Sequence, residues 1–318
     1  MKKYITLALL LMPLLVFCQA NKLIRQGLKS VNPEEQIKLF SEALDIDPEN
    51  LDAYFYRAIA KHNLGDFNGA ILDYTKVAFK EPSADVYFNR GNSRYSLMDY
   101  YGAKDDYNKA IELNKQFLEA KYSLAVTLND LEDFDGAIKE LEGIKKIKSA
   151  AIHLQLARAY TGIDNYNKTL ENYNNAILLL PNTTTFMERG KFFMSINYFQ
   201  KANDDFNRAV SLDQTNLTAG FFRGTSFLLL GKFQEAVEDF KALSEFDITD
   251  FDAVIGLSMA YLRLNDIENA KQNFIKAKSI IIGNNPVKNS TIELFKDSYW
   301  YQKQSYFFSE YFKAISTL

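Results

Sequence analysis

At 318 residues the chain is long enough for two domains, and 24% charged with 47% hydrophobic residues, against only 6 prolines and 14 glycines, exclude a disordered or collagen-like polymer. Lysine and arginine (37) nearly balance aspartate and glutamate (40), so the net charge of −3 supplies no basic face for nucleic acid. A single cysteine, Cys18, excludes an intrachain disulfide.

Residues 1–20 are a different kind of sequence from the rest. Lys2 and Lys3 give a basic start, Ile5 to Phe17 is an apolar run broken only by Thr6 and Pro13, and Cys18 and Ala20 are small residues suited to cleavage. This is the form of a secretory signal peptide, and the run is shorter than the ~20 apolar residues of a membrane helix. Cleavage is expected after Cys18 or Ala20. Lipid attachment at Cys18 is the rival, although Phe17 stands where such signals carry a small residue. The expectation is an exported protein, periplasmic or secreted, with a lipid-anchored envelope protein as the alternative.

From residue 21 to 50 the chain reads as an incomplete unit that caps the residues beyond Asn50. Asn32-Pro33-Glu34-Glu35 opens a helix, with Asn32 as its cap and Pro33 in the first turn. Ile37, Phe40 and Ala43 then give that helix an apolar stripe.

After Asn50 one pattern is written repeatedly. A small residue recurs as Ala58, Gly91, Ala125, Ala157, Gly190, Gly224 and Ser258, at intervals of 32 to 34 residues. A second comes twelve residues after each of them, as Ala70, Ala103, Ala137, Thr169, Ala202, Ala236 and Ala270. Aromatic residues flank the second position, as in Phe67 and Tyr74 or Tyr100 and Tyr107. Small residues at helical spacing let two antiparallel helices approach closely while rings fill the gaps beside the contact. Each unit therefore reads as a helical hairpin, seven of them over residues 51–283. Gly65, Gly231, Asn197 and Asn265 stand where the first helix reverses, a place for positive φ, and Asp66, Asp99, Asp133 and Asp266 come next as caps for the second helix.

In length, small positions and aromatic positions this unit resembles the tetratricopeptide repeat. The resemblance implies an all-α fold, a right-handed superhelical solenoid of antiparallel helix hairpins forming one continuous domain. Residues 284–318 break the period: Asn284-Asn285-Pro286 marks a turn, and nine of the eighteen residues from Phe295 to Phe312 are aromatic, including Trp300, the only tryptophan. They are expected to be capping helices buried against the seventh repeat, with an aromatic docking face as the alternative reading.

No catalytic or metal-binding constellation is present in the sequence. His62 and His153 fall on different repeats with no cysteine or second histidine near either, and a zinc site needs three or four convergent ligands. Carboxylate pairs such as Asp105-Asp106 and Asp204-Asp205 recur at one repeat position, which marks them as structural. Phosphate loops, G-x-S-x-G and H-E-x-x-H are absent. The chain is read as non-enzymatic, with no cofactor.

Internal comparison discloses one charge pair. Arg57, Arg90, Arg189 and Arg223 each precede the first small residue of their repeats, and each has an aspartate sixteen residues later: Asp73, Asp106, Asp205 and Asp239. In the other three repeats Leu124, Leu156 and Leu257 replace the arginine, opposite Glu140, Asn172 and Asn273. An ion pair tying the hairpins together is expected in the first four.

The resemblance further implies that first helices line a concave face which holds a protein or peptide. Helical projection onto that face selects Phe55, Phe88, Asn89, Asn92, Tyr95 and Tyr122 in a polar, aromatic early half. It selects Met187, Lys191, Phe221, Phe222 and Met259 in a more apolar later half. Chaperone adaptors of this family hold a terminal carboxylate with lysine, asparagine and arginine on successive first helices. The matching places here carry Phe55 and Ile59, then Asn89 or Asn92, then Glu119 and Ser123, so that ligand is not implied. The leading expectation is a protein-interaction scaffold that binds no nucleic acid and no small-molecule cofactor. The alternative is a structural subunit of a cell-envelope assembly that contacts partners through its ends or convex side.

Overall fold

The structure is a computed structural model that describes residues 19–282 and 291–317. Most of the leader expected over residues 1–20, including Cys18, and the turn at Asn284-Asn285-Pro286 lie outside the described residues. The chain divides into two compact units, Met1–Asn172 and Tyr173–Leu318.

Every described element is helical. Helix α1 spans 19–27 and α2 spans Pro33–Ile46, with Asn32 accepting from the amides of Glu34 and Glu35. Four pairs come next, in the amino-terminal unit and at its boundary: α3 (Leu51–Asn63) with α4 (Phe67–Lys80), α5 (Ala84–Ser96) with α6 (Tyr100–Leu113), α7 (Leu118–Asp130) with α8 (Phe134–Ile144), and α9 (Ala150–Gly162) with α10 (Tyr166–Leu179). Three more pairs belong to the carboxy-terminal unit: α11 (Thr183–Ser195) with α12 (Phe199–Leu212), α13 (Leu217–Leu229) with α14 (Phe233–Phe246), and α15 (Phe251–Arg263) with α16 (Ile267–Ile282). A short 3₁₀ turn (Ile292–Phe295), α17 (Tyr299–Lys303) and α18 (Ser305–Ser316) end the chain.

The hairpins form because each turn is specified on both sides. Gly65 and Gly231 take φ of 86° and 77°, and Asn197 and Asn265 take 61°, at the reversal after the first helix. The same conformation is taken by Asp164, whose residue type tolerates it, and is imposed on Met98 and Glu132, where nothing in the residue type announces it. Asp66, Asp99, Asp133 and Asp266 then accept from amides three residues on, satisfying groups that a helix start leaves bare.

Close approach of the two helices rests on the small residues. A Cβ added at Gly91 would meet the ring of Tyr107 at 2.8 Å, and one at Gly190 would meet Phe206 at 2.5 Å. The ring sits sixteen residues after the glycine in both cases, over the crossing of the hairpin. Where Thr169 and Ser258 break the small-residue pattern, each hydroxyl has a partner: Thr169 meets Thr161 at 3.2 Å, and Ser258 donates to the Ala270 carbonyl.

One residue before that contact, in each helix, stands the charge pair. Nε and Nη2 of Arg57, Arg90, Arg189 and Arg223 all form a two-pronged contact with the aspartate sixteen residues on, at 2.8 and 2.8 Å for Arg57–Asp73 and 2.9 and 2.6 Å for Arg90–Asp106. The third nitrogen of Arg57, Arg90 and Arg189 reaches back to Ser41, Thr75 and Asn174 on the preceding helix. One guanidinium thus closes its own hairpin and fastens it to the one before. All four aspartates are buried. At Asp205 burial pushes the carboxyl above its ordinary pKa, with the Arg189 guanidinium opposing it, as expected when desolvation competes with Coulomb attraction.

At the amino end α1 and α2 share a core of Ala20, Ile24, Phe40, Ala43 and Leu44 that extends onto Ala53 of α3. At the other end Phe295, Trp300, Phe308 and Tyr311 are buried in the core shared with α15 and α16. This segment reaches further than the expected cap. Besides covering the last hairpin, it places Tyr299 and Trp300 edge-on against Phe221 of α13, at 5.2 and 5.9 Å. Asp252, at the start of α15, accepts the Tyr299 amide on its carboxylate at 2.9 Å, while its carbonyl accepts the Trp300 indole at 2.8 Å. Tyr311 and Ser258 hydroxyls lie 2.7 Å apart.

Two stability measurements test these contacts. Asp205→Ala leaves Arg189 without its counter-charge and should cost about 3 to 5 kcal/mol. The double change Arg189→Leu/Asp205→Asn, which copies the Leu156/Asn172 pair of the fourth hairpin, should cost no more than about 1 kcal/mol, because well-packed apolar groups replace a buried ion pair at little loss. Urea-unfolding midpoints decide, and equal losses in both variants would refute the pairing account. The second concerns Asp252, whose carboxyl is pushed up to about 6 by burial. A carboxyl with a raised folded-state pKa favours its proton, so its contribution to stability is present at low pH and is lost as pH rises through about 4 to 6. Asp252→Asn keeps an acceptor for Tyr299 and carries no charge; it should gain on the parent by up to about 3 kcal/mol between about pH 4 and pH 7. A stability difference independent of pH would count against it.

Candidate functional site

Each unit carries a cavity on its first helices. In the amino-terminal unit one of about 290 Å³ is lined by His62 from the end of α3, Asn92, Tyr95 and Ser96 from α5, Tyr107 from α6, and Tyr122, Ser123 and Val126 from α7. Three successive first helices therefore contribute, which is what the equal 13-residue length of α3, α5 and α7 permits: each helix presents the same face at the same height.

The lining groups are held by bonds to one another and to residues outside the cavity. Tyr107 donates to Asn92 Oδ1 at 2.8 Å, and Tyr95 donates to Asp130 at 2.6 Å, with Arg158 of α9 bracing Asp130 from its other side at 2.8 Å. His62 Nδ1 lies 2.9 Å from the Ser93 hydroxyl. Burial lowers the His62 pKa, so the imidazole is neutral at pH 7, and burial raises Tyr95, Tyr107 and Tyr122. The cavity is lined by uncharged donors, acceptors and ring faces, suited to hydrogen bonding and stacking. Among the described residues no group of three or more histidine, cysteine or acidic side chains could hold a metal.

The carboxy-terminal unit has a larger cavity, about 610 Å³, between α11, α13 and the terminal segment. Lys191, Met194, Ser195 and Asn197 form one side and Phe222 the second; Tyr299, Gln302, Lys303 and Gln304 close the third. Lys191 Nζ lies 5.7 Å from the centroid of the Phe222 ring and 2.9 Å from Glu188.

Of the residues selected from sequence, Asn92, Tyr95 and Tyr122 come together in the first cavity, and Lys191 and Phe222 in the second. The others fall elsewhere. Met187 and Met259 are 5% and 1% exposed, so they are core residues and not anchors for a partner. Phe221 is covered by Tyr299 and Trp300 and belongs to the core around them. Phe55 packs on Tyr74 within its own hairpin, and Phe88 packs between Tyr107 of its own hairpin and Phe117 just before α7. Asn89 donates to its own helix at the Asp85 carbonyl. His62, Ser96, Tyr107 and Ser123 were not selected, although Ser96 and Ser123 lie four residues from Asn92 and Glu119 on the same helical stripe. Tyr299, Gln302, Lys303 and Gln304 had no periodic signal, because the terminal segment repeats nothing.

Known proteins agree with this architecture. Residues 84–117 and 251–281 each match the family described as tetratricopeptide repeat. No curated protein matches the sequence. Among solved structures, a tetratricopeptide repeat protein from Parabacteroides merdae is 17% identical with a TM-score of 0.62, over 76% of this chain and 98% of that one. Yeast Tom70 is 17% identical with a TM-score of 0.55, over 93% of this chain and 65% of its own. The Cut9–Hcn1 hetero-tetramer of the APC/C gives 17% and 0.54, and the match spans 86% of this chain and 53% of that one. At these identities the likeness is one of fold. The chain thus carries two matched tetratricopeptide repeats within an array of helical hairpins whose fold is like that of these solved structures.

Proposed function

We propose that the protein is a non-catalytic scaffold that binds an extended protein segment on its first-helix face. The observation that carries this reading is the cavity built by α3, α5 and α7, whose lining is uncharged and rich in groups held by hydrogen bonds within it and behind it. An extended segment presents one donor and one acceptor per residue, and amide and hydroxyl groups held in place can meet them without first being ordered. Cut9 forms a hetero-tetramer with Hcn1, which supports assembly as the use of this fold. The alternative, an envelope subunit contacting partners through its ends and second helices, gains weight from exposed apolar side chains such as Leu72 and Phe79 on α4.

The exported location belongs to the same proposal. Ala20 is fully buried with Ile24 and Phe40, so cleavage after Cys18 would leave α1 whole whereas cleavage after Ala20 would remove part of its core. The mature chain is accordingly expected to begin at Gln19, and intact-mass analysis of the exported protein reads this directly. A mass that retains Met1, or a lipid on Cys18, would replace the proposal with a membrane-attached form.

Filling the first cavity tests the scaffold reading. Ser96 is exposed and lines it, so Ser96→Trp adds bulk without removing a packed side chain. Capture of the native partner should fall by at least about tenfold while the melting temperature stays within a degree or two. Undiminished capture by Ser96→Trp, with loss on Leu72→Glu or Phe79→Glu, would favour the envelope-subunit alternative.

A further inference from the structure

We propose that the cavity of the carboxy-terminal unit binds an acidic peptide segment carrying an apolar side chain. This rests on the scaffold reading and adds the chemistry of one partner. Two cations, Lys191 of α11 and Lys303 of the terminal segment, line the cavity, and no carboxylate is among its described lining residues, the Glu188 that holds Lys191 at 2.9 Å standing outside the lining. Gln302 and Gln304 add amide groups that each give one hydrogen to the Lys296 carbonyl or the Tyr299 hydroxyl and carry a second N–H, a weaker donor to a carboxylate than the lysines are. The wall is aromatic: Phe222 and Tyr299 meet edge to face at 5.7 Å and 89°. A small inorganic anion would leave that wall unused, whereas an aromatic or aliphatic side chain between carboxylates fills it. The volume of about 610 Å³ falls in the range of ligand pockets and exceeds what one anion needs.

The cavity is also pre-formed. Asp252 fixes the backbone amide of Tyr299 and the indole of Trp300, and Trp300 is fully buried, so the terminal segment that closes the third side does not have to be ordered by the ligand. The amino-terminal cavity has no such charge, so selectivity for anionic segments is assigned to this one alone.

Trp300 is the single tryptophan and lies 5.5 Å from the ring of Tyr299, which gives the site its own optical reporter. The full chain is titrated by calorimetry, with Trp300 emission as a second readout, against the capped peptide acetyl-Asp-Leu-Phe-Glu-Asp-amide. Two counterparts are run beside it, one with Asn and Gln for the acids and one with Lys. Saturable binding of the acidic peptide is expected, at least about tenfold tighter than either counterpart, weakening from about 50 to about 500 mM salt. Lys303→Glu, at an exposed position, and Lys191→Gln should each lower that affinity at least about fivefold without changing the melting temperature. Equal binding of the three peptides, no binding of the acidic one, or unchanged affinity in both lysine variants overturns the proposal. So does inorganic phosphate that competes at the same concentration as the peptide, since the site would then be a general anion site. The Ser96→Trp capture experiment probes residues of the other unit. Failure here with loss of capture there removes only this inference, whereas undiminished capture there removes the scaffold reading.

Discussion

Everything in this chain depends on how closely the two helices of a hairpin approach. A small residue on the first helix lies under an aromatic ring sixteen residues later, and at Gly91 and Gly190 there is no room for a Cβ beneath the ring. That contact fixes the register of the hairpin, and register decides what the neighbouring residues meet. One position back on each helix, arginine faces aspartate, and the planar fork of the guanidinium matches the carboxylate with two bonds. Where leucine replaces arginine, at Leu124, Leu156 and Leu257, the same place is filled by a buried apolar side chain. The two solutions coexist because a buried ion pair recovers little more than its own desolvation, so either serves the packing.

The fold was legible in the sequence because it is periodic, and each repeat is a separate test of the same pattern. The charge pair was readable for that reason: arginine and aspartate change together across seven copies. What repetition cannot carry was missed. Met98 and Glu132 adopt positive φ because the hairpin turn demands it of whatever stands there, so residue type gives no signal. Asp252 occupies the same place in its repeat as Asp52 and Asp85, which are exposed; the terminal segment makes it a half-buried acceptor. Met187, Met259 and Phe221 were assigned to an open face for a related reason. Helical projection states which way a side chain points, but Met187 and Met259 are buried in the folded chain, and an aperiodic segment covers Phe221.

The two cavities show how one scaffold acquires different surfaces. Around His62 and Tyr95 the titratable groups are half-buried and uncharged at pH 7, and Asp130 beside Tyr95 is engaged by Tyr95 and Arg158. Charge there is spent on holding the wall in place. Around Lys191 and Lys303 the arrangement differs: the wall is held by Asp252 and by ring packing, and the lysines line the cavity, Lys191 with Glu188 beside it. The first arrangement discriminates by hydrogen-bond geometry and the second by sign of charge, whose effect weakens with salt.

Asp252 joins stability to shape in the second cavity. Its carboxylate is half-buried against α17, and its raised pKa states that the folded chain would hold the proton more readily than the unfolded one. At neutral pH the ionised form is therefore a cost to the fold. An asparagine would remove that cost, but it offers one oxygen where the carboxylate offers two, and both lie within 3.2 Å of the Tyr299 amide. The charge also attracts the positive end of the short helix that begins at Tyr299. The strain of burying it falls on stability, and the gain appears in the placement of Tyr299, the ring that separates the hydrophobic core of the carboxy-terminal unit from its cavity.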